Sequence, residues 1–282
     1  MYQPIIIIGA GRSGTNLLRD LLSSFDDFST WPCDEINYIW RHGNARFPTD
    51  EFTSKMAEPH IQSYIQNQFT SLYKKNKTPF IIEKTCANSL RVGFVNKAVP
   101  GSKFIHIVRD GRDVVASAIK RWKAPLDIGY IAKKARYVPK TDIPYYAFNY
   151  FLNRIHKVIS TDKQLSTWGP RFKHDAPNLS LAATAALQWK TCVDSATSQL
   201  KQIPVNQHLT ISYEDLIQKP NQVISSIFSF LETPLPETAN AITQKTIRTT
   251  SIGKWRNDLL PNQHEEAMEI ISQTLQEHGY EQ

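Results

Sequence analysis

Cysteine is scarce in this 282-residue chain: Cys33, Cys86 and Cys192 are widely spaced and form no C-x-x-C pair. That argues against a disulfide-stapled domain or a zinc knuckle and predicts reduced thiols in a cytoplasm. The eight histidines show no H-E-x-x-H or comparable ligand spacing, so no metal site is expected. D-x-D is missing, which argues against a metal-dependent nucleotide-sugar transferase. The apolar run Ile5 to Ile8 is far too short to span a bilayer, and only Met1 to Pro4 precede it. A transmembrane segment or signal peptide is therefore not expected. Glycine/serine linkers, internal repeats and low-complexity segments are absent too, and the reading is one domain over residues 1–282.

What is present describes an ordinary globular protein, 41% hydrophobic and 21% charged, long enough for a substantial core. Its net charge of +7 suits an anionic partner, without choosing among nucleotide, nucleic acid and acidic glycan.

Strands and helices alternate. Ile5 to Ile8 is a continuous β-branched run, expected to be buried on both faces, followed by a glycine loop and a helical pattern from Thr15 to Ser24. The same grammar recurs at Pro79 to Glu83 before a helix from Ser89 to Ala98, and at Lys103 to Val108 before Arg109 to Trp122. His208 to Ser212 then precedes a helix around Val223 to Leu231. This predicts an α/β fold of P-loop NTPase-like, three-layer type, its central, mostly parallel sheet flanked by helices. Residues 123–204 carry no good strand. Amphipathic patterns at Tyr145 to Ser160 and Leu179 to Gln199 suggest a helical insert over the active edge.

The stretch PIIIIGAGRSGTNLLRDLL fits G-x-G-x-x-G at Gly9, Gly11 and Gly14. A dinucleotide site also needs a second strand ending in an acidic residue about 20 positions on. Asp34 and Glu35 have that spacing, but DDFSTWPC holds Pro32 and no apolar run, so no strand is predicted to deliver them. An ATP loop needs a lysine where Thr15 stands, and the aspartate nearest a strand end, Asp110, is flanked by arginines. What remains is a ring of backbone N–H groups at a helix N-terminus, with Arg12, Ser13, Thr15 and Asn16 as side-chain donors. Such a loop takes a terminal phosphate without a metal.

GAGRSGTNLL followed by FIHIVRDGRDVVAS resembles the paired donor-binding motifs of the sulfotransferases that use 3′-phosphoadenosine 5′-phosphosulfate (PAPS). The resemblance implies that Arg12, Ser13, Gly14, Thr15 and Asn16 hold the 5′-phosphosulfate, and that Arg109 and Ser117 clamp the 3′-phosphate. Glu83 to Thr85 is similar to a K-T motif whose lysine, here Lys84, reaches the transferring group. ISYEDLIQKP resembles the segment whose tyrosine, here Tyr213, lies near adenine; Tyr213 reads equally well as a core aromatic. RTTSIGKWRNDL resembles a further donor motif through Arg248, Gly253 and Trp255, with Lys254 beside them. The chain departs from the family at Thr249-Thr250, where that motif has Lys-Gly, and at Cys86, where small-molecule members carry a catalytic histidine. TWPCDEINYIW resembles the segment of the tyrosylprotein and carbohydrate branches in which a glutamate takes the acceptor's proton.

These likenesses imply sulfuryl transfer from PAPS to a hydroxyl, releasing PAP, with Arg12 and Lys84 as fixed cations and Glu35 as base; Asp34 is the alternative. Trp31, Ile36 and Trp40 are expected to raise the Glu35 pKa by burying it. The stretch INYIWRHGNARFPTDEF suggests a groove for a glycan or glycoconjugate, with glycolipid, tyrosyl peptide and small-molecule acceptors open. Two other readings stand beside this one, a non-catalytic PAP or PAPS binder and a P-loop kinase or ATPase. Lys120, Arg121, Lys123, Lys133, Lys134, Arg136 and Lys140, interleaved with Tyr130 and Tyr137, read as a rim attracting anions rather than a nucleic-acid surface. His106, inside an apolar strand, is expected to be a hydrogen-bonded core residue. Homo-oligomerisation is left open.

Overall fold

The computed structural model describes residues 2–124, 136–144, 169–170, 179–247 and 251–280. Five parallel strands, β1 (Gln3–Ile8), β2 (Phe28–Thr30), β3 (Phe80–Lys84), β4 (Lys103–Val108) and β5 (His208–Ser212), form one sheet in the order β2-β3-β1-β4-β5. The described helices are α1 (Thr15–Leu22), α2 (Asn37–Trp40), α3 (Pro59–Asn76), α4 (Val92–Ala98), α5 (Gly111–Lys123) and α6 (Leu181–Leu200). They continue with α7 (Tyr213–Gln218), α8 (Pro220–Phe230), α9 (Ala239–Thr246), α10 (Trp255–Asp258) and α11 (Pro261–Glu277).

The period of two in a strand separates two cores. Ile6, Ile8, Ile81 and Phe104 pack on one face with residues of α3 and α4, among them Ile65, Phe69 and Phe94. Ile5, Ile7, Ile82, Ile105 and Ile107 pack on the other with Leu18, Leu21 and Leu22 of α1 and Ile224 and Ile227 of α8. Each such aliphatic side chain removed from water contributes roughly 1.5–3 kcal/mol, which is why Ile5 to Ile8 read so plainly as a central strand. A third cluster lies between α5, α6 and α11, joining Val115, Ala186, Trp189, Cys192 and Ile271.

The register sets the strand tips side by side. Ile7 of β1 pairs with Lys84 of β3 and with Ile105 of β4, and Val108 of β4 pairs with Ser212 of β5. With β1 central, the loop after it opens between its two neighbours at the carboxyl edge, the topological switch point where open α/β sheets bind ligands.

Sequence reasoning missed β2. A three-residue strand does precede Asp34 and Glu35, with Phe28 opposite Phe80. It escaped notice because an edge strand gains its hydrogen bonds from one neighbour only, and Phe28 alone of the three is buried. The predicted helix at Tyr145 to Ser160 lies outside the described residues, whereas α6 appears where Leu179 to Gln199 suggested. His106 is buried in β4, but its Nε2 has no hydrogen-bond partner, contrary to expectation. Burial, with His278 and His208 adding to it, pushes its pKa down to about 3, so the ring is neutral.

Candidate active site

All five strands deliver site residues at their carboxyl ends. After β1 the chain makes a tight turn in which Arg12 and Gly14 both have positive φ, +74° and +90°. A Cβ on Gly14 would stand 2.3 Å from Cδ2 of Tyr213, so only glycine lets the turn lie against that ring. No side chain caps α1 at Gly14, so its first amides have no capping partner, an arrangement that suits an anion. Asn16 lies in the first turn of α1.

Arg109 directly follows β4. Its guanidinium donates to the carbonyls of Arg12 at 3.1 Å and Ser251 at 2.5 Å, pairs with Asp113 at 3.5 Å, and lies 4.4 Å over the Tyr213 ring. The turn beneath it is braced: Trp189 Nε1 donates to the Arg109 carbonyl at 3.1 Å, and the Asp110 amide donates to Glu214 at 3.1 Å. Asp110 caps α5 through the Arg112 amide and pairs with the Arg112 guanidinium at 2.9 Å. Across the cleft, Arg12 Nε donates to Ser117 Oγ of α5 at 3.0 Å.

Lys84 ends β3 with its ammonium 3.2 Å from Glu35 Oε1, which also accepts from the Cys86 amide at 3.4 Å. Burial works to lower the Lys84 pKa, but the charge of Glu35 foremost, with that of Asp34, outweighs it, and the net shift is upward. Lys84 is therefore a standing cation at pH 7. Burial, reinforced by Glu35, lifts the Cys86 thiol to about 12, so it stays protonated and is no base. Burial foremost, then the nearby Arg109 and Arg121, lowers the Arg12 pKa.

Two cavities adjoin here. One of about 320 Å³ is lined by Gly14, Arg109, Ser117, Tyr213 and Lys254, among others. The second, of about 200 Å³, is lined by Asp34, Glu35, Lys84, Arg121, Trp122 and Gln188, among others. Arg12, Thr15 and Asn16 belong to both. Ser13 Oγ and Arg109 Nε are buried without partners, and such orphaned polar groups cost roughly 1–3 kcal/mol each. An uncapped helix, two unsatisfied donors and crowded arginines fit a ligand rich in anionic oxygen. Among the described residues no group of three or more His, Cys, Asp or Glu could hold a metal ion.

The structure thus gathers Arg12, Gly14, Thr15, Asn16, Glu35, Lys84, Arg109, Ser117, Tyr213 and Lys254 onto two connected cavities. Ser13 is buried within the same turn. Gly253 is not on either wall; its amide donates to Asp113 at 2.8 Å. Arg248 lies outside the described residues. Trp31, Ile36 and Trp40 are buried in the core and line neither cavity; Glu35 instead faces Lys84. Of the stretch expected to form a glycan groove, Ile36, Ile39, Trp40, Thr49, Asp50 and Phe52 are buried, Gly43, Arg46, Phe47 and Pro48 are exposed, and no residue of it lines either cavity. Trp40 is fully buried, and Arg41 bonds Asp50 and the carbonyls of Thr49, Ala45 and Phe47.

Sequence reasoning overlooked Asp113, which steers Arg109 and holds the amides of Gly253 and Trp255. Its position four residues after Arg109, in the same RDGRD run, was the available signal. Gln188 and Trp189 had none, since α6 reaches the cavity through tertiary packing on α5, α11 and the turn at Cys86–Leu90.

A family model described as the sulfotransferase family matches residues 4–132 and 151–237. No curated protein matches in sequence. Among solved structures, the sulfotransferase domain from the curacin biosynthetic pathway is similar at 17% identity, covering 100% of this chain and 99% of that one, with a TM-score of 0.58. An Alicyclobacillus acidocaldarius sulfotransferase shares 16% identity over 100% of this chain and 98% of its own, TM-score 0.52. A mouse sulfotransferase solved with PAP shares 14% over 97% and 85%, TM-score 0.52. Among the described residues no helix is long and apolar enough to cross a membrane. With the family match spanning most of its length and the strand-tip loops disposed as that family's motifs imply, the chain belongs to the sulfotransferase family.

Proposed function

We propose that the protein moves a sulfuryl group from PAPS to an acceptor hydroxyl, with PAP as product, and that residues 1–282 act as one sulfotransferase domain. The observation that carries this reading is the position of Arg12 on both cavities. It is tied to Ser117 on the larger one, while Lys84 and Glu35 line the smaller.

The nucleotide lies in the larger cavity, its 3′-phosphate between Arg109, Ser117 and Lys254 and its adenine by Tyr213. Ser13, Gly14, Thr15 and Asn16 take the 5′-phosphate at the start of α1. In the transfer, the bond between sulfur and the phosphate's bridging oxygen breaks as a bond to the acceptor oxygen forms. The acceptor's proton passes to the Glu35 carboxylate. Arg12 and Lys84 supply fixed positive charge where the leaving phosphate and the loosened sulfuryl group develop negative charge. Lys84 is suited to this because it stays charged while buried.

For the acceptor we propose a glycan or glycoconjugate. Trp122 beside Arg121 and Gln188 on the smaller cavity gives an aromatic face next to hydrogen-bonding groups, which suits a sugar's CH surface and hydroxyls. A cytoplasmic location accords with three cysteines of which none is in a disulfide.

The test is transfer of ³⁵S from labelled PAPS, in excess EDTA, to a panel of oligosaccharides, glycolipids, tyrosyl peptides and phenols. Labelled product supports the reading. Tight PAP binding with no labelling of any acceptor would identify a nucleotide sensor, and Mg²⁺-dependent ATP turnover would identify a kinase or ATPase.

A further inference from the structure

Lys84 is flanked by two polar residues that face away from it. Glu83 precedes it in β3, and Thr85 continues the extended backbone, so both side chains project to the opposite side of the strand. Both are buried, and both belong to a closed ring of hydrogen bonds. The Ile36 amide donates to Thr85 Oγ1 at 3.2 Å, and that hydroxyl donates to Glu83 Oε1 at 2.5 Å. Asn88 Nδ2 donates to Glu83 Oε2 at 2.8 Å, and Arg91 Nε donates to Asn88 Oδ1 at 2.8 Å. Arg91 then donates to Asn37 Oδ1 at 2.5 Å, and Asn37 is peptide-bonded to Ile36, which closes the ring. Asp50 balances the arginine charge, accepting from Arg91 at 3.1 Å and Arg41 at 2.9 Å.

The ring therefore joins two segments 49 residues apart at one place, the residues next to Glu35 and the residues next to Lys84. Burial pushes the Glu83 carboxyl up to about 7, and with that carboxyl ionised the ring's donor and acceptor order has no slack. The Thr85 hydroxyl carries one proton and gives it to Glu83, so it can only accept from Ile36; both Glu83 oxygens accept. Packing needs no such arrangement, because apolar residues of similar volume would fill the space at least as favourably. A fully satisfied buried polar network does something packing does not, in that it selects one geometry.

We propose that Thr85 and Glu83 are positioning residues that hold the segment bearing Glu35 against the tip of β3 and so set the Lys84–Glu35 contact. This rests on the reading of Lys84 and Glu35 as the reacting pair. Thr85→Val keeps the shape and deletes the hydroxyl, leaving the Ile36 amide and Glu83 Oε1 unsatisfied. Thr85→Ser keeps both bonds. Glu83→Gln replaces an accepting oxygen by an NH₂: turned toward Asn88 it faces a donor, and turned toward Thr85 it takes the hydroxyl's second lone pair and leaves that hydroxyl's proton without its acceptor.

The experiment compares these three variants with the unaltered full chain by PAP calorimetry, by steady-state ³⁵S-PAPS turnover on the panel above, and by crystal structures with PAP. For Thr85→Val and Glu83→Gln, kcat should fall on the order of 100-fold while the PAP Kd stays within about twofold. Glu35 in both should move beyond hydrogen-bond reach of Lys84. Thr85→Ser should restore both the contact and the rate. The proposal is overturned if Thr85→Val retains the Lys84–Glu35 contact, or if Thr85→Val and Thr85→Ser lose PAP affinity and turnover in parallel, as a merely structural role requires. If Thr85→Val does not fold, Glu83→Gln and Thr85→Ser carry the comparison. Should the unaltered chain label nothing, the functional reading fails on its own, and the crystallographic contact still decides whether the ring positions Glu35.

Discussion

Arg12 reaches from a left-handed turn after β1 to Ser117 on α5, its Nε 3.0 Å from the serine oxygen. This contact bridges the cleft from the phosphate loop to the helix that Arg109 and Asp110 introduce. It orients the guanidinium between the two cavities. Deleting the serine hydroxyl removes one such hydrogen bond. Ser117→Ala should weaken PAP binding by roughly 1 kcal/mol, about fivefold, with kcat little changed. Calorimetry with PAP reads this directly, and an unaltered Kd would remove Ser117 from the donor site.

Lys84 and Glu35 form a pair in which the lysine side chain is 2% exposed and the glutamate 13%. Lys84→Met should lower turnover by about 3 kcal/mol or more of transition-state stabilisation, with PAP affinity within a few-fold. Glu35→Gln should leave PAP binding intact and nearly stop transfer; near-normal rates would move the base to Asp34. Each single change strands one buried charge, so both should lower the melting temperature. The double variant should recover much of that stability and none of the activity, a pattern that thermal melts and turnover together would separate from simple unfolding.

The Gly14 turn offers a contrast with Gly101. Both have positive φ, +90° and +77°, but a Cβ at Gly14 meets the Tyr213 ring at 2.3 Å whereas one at Gly101 meets nothing within 4 Å. Gly101→Ala should cost only the backbone strain, roughly 1–2 kcal/mol, and leave PAP binding alone. Gly14→Ala must also shift Tyr213, and with it the Arg109 guanidinium stacked on that ring. Its PAP affinity should fall by at least about tenfold. Equal PAP affinity in the two variants would contradict the assigned role of this contact.

His106 gives a dependence on pH with a definite sign. Its folded pKa, pushed down to about 3 by burial and by His278 and His208, lies below the ordinary value of 6.5. The unfolded chain therefore binds a proton that the folded chain refuses, so its share of stability is intact above pH 6.5 and lost as pH falls toward 3. Between pH 7 and pH 5 that loss is about 2 kcal/mol. Urea denaturation at the two values should show His106→Leu losing less than the unaltered chain. An identical loss in both would mean that the histidine protonates freely in the folded state.

Much of this was legible from neighbours in the chain. A strand buried on both faces must be apolar at every position, and Ile5 to Ile8 are. A loop that receives phosphate needs small residues and donors before a helix, and Gly9 to Asn16 supply them. The edge strand β2 was not legible, because its hydrogen bonds come from β3 and only Phe28 enters the core. The environment of Glu35 was not legible either. The glutamate side chain is largely buried, as its neighbours suggested, but it faces Lys84, while Trp31 and Trp40 turn into the core beneath α3. The C-terminal Tyr280 likewise gives no hint of its bond to Glu214 at 2.7 Å, which braces the Arg109 turn from the far end of the chain.

The order of residues alone settled which donors sit in a turn and which cations end strands, because these are local properties written in consecutive positions. Their mutual distances were decided by the tertiary structure, since Arg12 meets Ser117 across 105 positions, Lys84 meets Glu35 across 49, and Asp113 meets Gly253 across 140. A strand's register and a helix's packing face bring such residues together, and both are set by the burial of apolar surface summed over the whole sheet.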